Sequence, residues 1–169
     1  VELVLGPTQL DVPRGIALHS VNTAIEMYEA VVQLLPEADY VICSAAVADY
    51  RPAIMQVQKI KKLDSARPPQ IELVENPDIL KYCGHHKQPN QVVIGFALET
   101  NNEKQHALEK MDRKQANMIV LNSLRDAGAG FGKTTNKVTL FSDKGLEKAL
   151  ELAEKSKIAD QIVASIAEY

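Results

Sequence analysis

Clustered lysines beside a strand end of small residues are the groups in this chain best suited to chemistry, and that chemistry is the handling of phosphate. In the segment 43–62, CSAAVADYRPAIMQVQKIKK, the apolar run Tyr40-Val41-Ile42-Cys43 gives way to Ser44, Ala45 and Ala46. It then meets Asp49 and ends in Lys59, Lys61 and Lys62. Small side chains let a backbone come close to a ligand, and ammonium groups neutralise phosphate oxygens. Asp49 has two readings. It caps a turn before Tyr50-Arg51-Pro52, or it meets a nucleotide group at the carboxyl end of a strand. Open α/β sheets bind ligands at that edge, which favours the second. On a strand over 54–62, Lys59 and Lys61 share one face and Lys62 takes the other. By pattern alone such a strand is a sheet edge protected by lysine.

Other candidates lie further along. Asn76-Pro77-Asp78, followed by Ile79 and Leu80, is a helix start: a polar cap, proline at the first position and an acid in the first turn. Taken alone it is only a cap. Phe96 follows Gly95 at the end of an apolar run, where an aromatic ring packs on a base or ribose, or fills the core. Lys110 and Lys114 share one helix face. Their repulsion is small in solvent and becomes binding energy with an anion between them, although a solvated face is the plainer reading. Residues 127–134, AGAGFGKT, miss the pattern GxxxxGK[ST] by Ala127, and Lys133-Thr134 leads into a strand. A phosphate loop of that type must lead into a helix, so this segment reads as a glycine-rich connector that can serve as a lid. The four histidines are scattered, His85-His86 included, without metal-ligand spacing. There is no G-x-S-x-G and no Cys–His pairing for nucleophilic catalysis.

The elements that must position these residues alternate along the chain. Strands are expected over 2–5, 16–19, 39–44, 54–62, 69–75, 91–97, 117–121 and 137–141. Helices are expected from Asn22 or Thr23 to about Leu35, from 76 to about Gly84, and over 101–115. A last helix is expected over 145–169, with Leu146, Leu150, Ala153, Ile158, Ile162 and Ile166 on its apolar stripe. The apolar run at 39–44 suits a strand covered on both faces. The pair 54–62 and 69–75 reads as an excursion outside the main sheet. Repeated βα units argue for an α/β fold, a doubly wound, Rossmann-like, mostly parallel sheet with a two-stranded excursion.

Composition fits that class. The chain has 169 residues, 46% hydrophobic and 24% charged, with a formal net charge of −3. That is enough for one domain with its own core and gives no global basic field for nucleic acid. No apolar run approaches the roughly 18 residues of a membrane span, and no signal peptide opens the chain. Cys43 and Cys83 lie outside any CxxC, which suits reduced thiols in a cytoplasmic protein. Val1-Glu2-Leu3-Val4-Leu5 reads as a strand at once, without an initiator Met, as expected of an excised domain.

The segments SAAVADYRP (44–52), KIKK (59–62), ENPDIL (75–80), GFALET (95–100), the helix bearing Lys110 and Lys114, and GAGFGKTTNKVTL (128–140) occur in one order. Together they resemble the phosphopantothenoylcysteine synthetase (phosphopantothenate–cysteine ligase) domain of bacterial coenzyme A biosynthesis, over nearly the whole chain. The resemblance implies ligation of 4′-phosphopantothenate to L-cysteine with CTP and Mg2+ through an acyl-cytidylate. It implies Lys59 as the catalytic cation, and a nucleotide site made from Cys43, Ser44, Ala45, Ala46, Asp49, Lys59, Pro77, Asp78, Ile79, Leu80, Phe96, Lys110 and Lys114. It implies the excursion 54–75 as a dimerisation element, hence a homodimer, and fusion to or association with a flavin-dependent phosphopantothenoylcysteine decarboxylase. The family's opening SGGT-type loop and NxSSGKMG-like segment have no counterpart here. Residues 1–169 alone are therefore expected to keep most of the nucleotide site and to lack complete ligase activity. The alternative is a nucleotide- or dinucleotide-binding regulatory domain without catalysis, although no GxGxxG follows a first strand.

Overall fold

The computed structural model describes residues 1–60, 70–123 and 132–169. In chain order its elements are β1 (Glu2–Leu5), β2 (Ala17–Ser20), α1 (Ala24–Leu34), β3 (Tyr40–Cys43), β4 (Tyr50–Pro52), β5 (Leu73–Glu75), α2 (Ile79–His86), β6 (Val92–Glu99), α3 (Glu103–Lys114), β7 (Met118–Ser123), β8 (Thr135–Ser142), β9 (Glu147–Glu154) and α4 (Lys155–Ala167). They fall into two compact units, one of Val1–Val31 with Ala46–Asp78, the other of Val32–Ala45 with Ile79–Tyr169.

The second unit holds the principal sheet, ordered β3-β6-β7-β8-β9. β3, β6 and β7 run parallel, while β8 and β9 add antiparallel. Helices cover both faces. Ile94, Met118, Val120, Val138, Leu140 and Leu150 form a core with Ile158, Ile162 and Ile166 of α4. Alternation along the strands sends Val93 and Ile119 to the other face, where α2 and α3 pack and bury Leu80, Cys83, Ala107 and Met111. The expected α/β class thus holds, with a parallel nucleus and antiparallel strands at one side.

Three local expectations are corrected. The first concerns 145–169. Gly145, at φ 87°, closes a tight turn whose amide donates to the Ser142 carbonyl. The chain then returns as β9, and α4 begins only at Lys155. A register irregularity between Asn136 and Val138 lets both Leu150 and Ala153 face the core. That bulge gives an edge strand the three-residue spacing of a helix. The second concerns β3, which is the outermost strand of this sheet among the described residues. Its Tyr40 and Ile42 are 53% and 46% exposed, because only the alternate residues, Val41 and Cys43, turn toward α2. The third concerns 54–62. The described residues 54–60 form no strand, and 61–62 lie outside the described residues. The two-stranded pairing is antiparallel β4–β5, with Arg51 opposite Val74. Pro52 brings no N–H to this ladder, and the Ala53 amide donates instead to the Glu72 carbonyl at 2.9 Å.

The first unit also holds β1 and β2, which pair parallel. At the amino end of β7 a polar network closes the second unit. Lys87 Nζ donates to the Gln115 carbonyl and to Asn117 Oδ1, both at 2.7 Å. Asn117 Nδ2 donates to Asp143 at 3.1 Å, and the Tyr169 hydroxyl donates to Asp143 at 2.5 Å. Burial holds Lys87 below its ordinary value. Burial, then Asp143, pushes Tyr169 above 10.0.

Candidate nucleotide site

The carboxyl edge of β3 and β6 is built by a mismatch in strand length. β3 ends at Cys43, opposite Gly95, whereas β6 runs on to Glu99. Phe96 is therefore the first β6 residue past the end of β3, and its carbonyl accepts a 2.8 Å hydrogen bond from Lys110 Nζ. Lys110 is carried there by α3, which is pinned at three points. Glu103 accepts from the Ser123 hydroxyl at 2.7 Å, Lys104 pairs with Glu147 at 2.5 Å, and His106 lies 3.3 Å from Glu99. The Phe96 ring is half-buried and packs on the α4-side core, so the residue serves that edge through its carbonyl. Lys114 stands at the end of α3, partly buried, its carbonyl against Gly84 of α2.

Gly95 sets how close α2 comes. A Cβ at Gly95 would overlap Leu80 Cδ2, so any larger residue there would force Leu80 to shift. Ile79 and Leu80 open α2 and are buried. Ser44 and Ala45 continue from β3, both exposed, leaving their backbone open to a ligand. On the α2 face, the Cys43 and Cys83 thiols are hydrogen-bonded to each other. That bond holds the Cys83 thiol below its ordinary value against the opposing effect of burial.

The remaining candidates belong to the first unit. Ala46 and Asp49 are exposed, as are Lys59 and Asp78, while Pro77 is partly buried. Asp49 is held by its backbone: its carbonyl accepts from the Asn76 amide at 2.8 Å. The Asn76 side chain donates to the Ala48 carbonyl at 2.8 Å and accepts from Arg51 at 3.2 Å. Arg51 also donates to the Glu75 carbonyl at 2.5 Å. This corrects the reading of Asn76-Pro77-Asp78. α2 begins at Ile79, and the Asn76 side chain ties down the turn that carries Asp49. Asn76 and Arg51 were absent from the expected site as positioning residues. Their signal, a β4–β5 pairing that sets Arg51 beside the end of β5, needs the register to be read. Lys61 and Lys62 lie outside the described residues, as does most of the glycine-rich loop 127–134. Its end, Lys133-Thr134, leads into β8 as expected.

Among the described residues no three His, Cys, Asp or Glu side chains gather as a metal site. Nor is any helix there long and apolar enough to cross a membrane. The edge offers backbone groups past the end of a short strand and the positioned Lys110 ammonium. Those features suit a phosphate-bearing ligand at the carboxyl end of a parallel sheet.

The family model for the DNA/pantothenate metabolism flavoprotein C-terminal domain matches residues 1–169. The chain belongs to this family. Within it, the coenzyme A biosynthesis bifunctional protein CoaBC of Vibrio vulnificus (strain YJ016) is 37% identical over 166 residues, covering 98% of this chain and 41% of the relative. CoaBC of Bacillus subtilis is 38% identical over 168 residues, covering 99% and 41%. A protein named cysteine/cysteine sulfinic acid decarboxylase, from an unknown prokaryotic organism, is 41% identical over 167 residues, covering 98% and 46%. The chain thus spans less than half the length of these curated relatives. A crystal structure of the C-terminal domain of CoaBC superposes with a TM-score of 0.79 at 38% identity, covering 98% of this chain and 71% of that one. The α/β fold of this flavoprotein-family domain is that of the CoaBC C-terminal domain.

Proposed function

We propose that the protein to which this domain belongs joins 4′-phosphopantothenate to L-cysteine at the expense of CTP. A carboxylate is a poor acyl donor because its leaving group would be oxide. In the proposed first step the phosphopantothenate carboxylate attacks the α-phosphate of CTP. A carboxyl O–P bond forms and pyrophosphate leaves, giving an acyl-cytidylate. In the second, the cysteine amine attacks the acyl carbon and CMP departs with the bonding electrons, leaving an amide. Each step concentrates anionic oxygens, and positioned ammonium groups stabilise them.

The observation that carries this reading is the Lys110 ammonium fixed 2.8 Å from the Phe96 carbonyl, just beyond the end of β3. It is supported by the family and by relatives whose printed name is the coenzyme A biosynthesis bifunctional protein. We assign the open backbone of Cys43, Ser44 and Ala45, the α2 start at Ile79 and Leu80, Phe96, Lys110 and Lys114 to the nucleotide. Ala46, Asp49, Pro77 and Asp78 are assigned to it from the first unit, with Lys59 as the catalytic cation. Magnesium of this kind keeps most of its ligands from phosphates and water, so it would enter on the triphosphate. A flavin-dependent phosphopantothenoylcysteine decarboxylase partner, fused as the relatives' bifunctional name suggests, and a cytoplasmic setting complete the proposal.

Lys59→Gln in the full-length protein tests the assignment of the cation. With 4′-phosphopantothenate, CTP and cysteine, acyl-cytidylate should build up or turnover should fall at least about a hundredfold, the size of one lost transition-state charge. Unchanged turnover removes Lys59 from the mechanism. Binding of CTP with no turnover on any pantothenate-type acid would favour a regulatory nucleotide-binding domain instead.

A further inference from the structure

The two cysteines face each other across the wall of the proposed nucleotide edge. Parallel pairing puts Cys43 beside Gly95, and partners in a ladder point to the same face. Gly95 points at Leu80 of α2. Cys83 follows Leu80 by three residues on the same helix face, and α2 packs on β3. The two thiols are consequently in mutual hydrogen-bond contact, with no disulfide between them. α2 comes close to the sheet at Gly95, where an added Cβ would meet Leu80, and close to the end of α3 at Gly84, where a Cβ would overlap the Lys114 carbonyl. Cys43 is partly exposed, whereas Cys83 is 0% exposed.

We propose that Cys43 and Cys83 form a reversible dithiol–disulfide pair that couples the oxidation state of the protein to the carboxyl edge of β3. The oxidant is a peroxide or a low-molecular-weight disulfide. With hydrogen peroxide, the Cys43 sulfur attacks one peroxide oxygen, the O–O bond breaks, and Cys43 sulfenic acid and one water result. The Cys83 sulfur then attacks the Cys43 sulfur, the S–O bond breaks, and a second water leaves as the S–S bond forms. The accessible sulfur is oxidised first, and the buried one resolves it before oxidation goes further. Such a bond is reducible under cytosolic conditions, so it would be transient. A bond between the last residue of β3 and α2 draws the Cys43–Ser44 backbone toward the helix. That consequence for nucleotide affinity rests on the function proposed above.

The test uses the full-length protein, reduced and then exposed to hydrogen peroxide, with peptide mapping of its cysteines and CTP titration by calorimetry. A Cys43–Cys83 cross-linked peptide, lost on treatment with dithiothreitol, is expected. CTP affinity should be at least about tenfold weaker in the oxidised form, equivalent to about 1.4 kcal/mol. In Cys83→Ala, Cys43 should progress to sulfinic acid instead. Folded protein that accumulates Cys43 sulfinic acid with Cys83 present, and no cross-linked peptide, overturns the pair. A cross-link with unchanged CTP affinity overturns the coupling. A cross-link in a protein whose reduced form binds no CTP leaves the pair standing and overturns the nucleotide reading.

Discussion

Lys110 shows how a side chain that pattern alone assigns to solvent becomes part of a site. It is partly buried, and its ammonium is held against the Phe96 carbonyl rather than in water. Replacing it with Met keeps the stem and removes the charge. Charge-assisted hydrogen bonds contribute about 1.5–3 kcal/mol, so Lys110→Met should weaken CTP binding about tenfold or more and also lower the melting temperature through the lost bond to the Phe96 carbonyl. Titration calorimetry beside a melting curve checks both halves. At the far end of the sheet, Tyr169 makes a different kind of statement. Its native-state pKa is raised, by burial first and by Asp143 next. The sign follows: its stabilising contribution is complete below the ordinary value of 10.0 and is lost as pH rises through the higher native value. The phenolate absorbance that Tyr169→Phe removes should therefore titrate above pH 10, and the variant should lose less stability than the parent across that alkaline range.

Elements explain why some of this was legible and some was not. The buried runs of β6 and β7 could be read directly, since burial on both faces leaves an apolar signature. β9 could not. Leu146, Leu150 and Ala153 keep helical spacing, and the intervening Glu and Lys are helix formers. Tertiary pairing with β8 and the bulge at Asn136–Val138 overrode them, and the same charges protect the open edge of β9. Asn76 looked like a helix cap because cap and turn use the same side-chain chemistry. Only the β4–β5 register shows it bound to Ala48 and Arg51. The glycines of α2 and β6 give a test at this scale. Gly→Ala inside a helix ordinarily stabilises by about 1 kcal/mol. Gly84→Ala should do the reverse, because its Cβ meets the Lys114 backbone carbonyl at the end of α3. A lowered melting temperature, from about 1–3 kcal/mol of overpacking, is the expected result. A raised one contradicts the close α2–α3 approach.

For the whole molecule, the excursion around β4 and β5 leaves large apolar side chains in solvent. Met55 and Val57 are 86% and 97% exposed, with Ile54, Ile71 and Leu73 also open. Patches of this kind mark association surfaces, and a homodimer through the excursion is proposed. A Met55→Asp, Val57→Asp variant of the full-length protein should sediment as a monomer where the parent sediments as a dimer, with the second unit's melting unchanged. The most direct measurement of the central claim is pyrophosphate release by the full-length protein in a single turnover, with 4′-phosphopantothenate but no cysteine. The account predicts a burst of about one pyrophosphate per site with CTP, dependent on the acid, and a much smaller one with ATP, GTP or UTP. Equal bursts with all four nucleotides, or none with CTP, would contradict it.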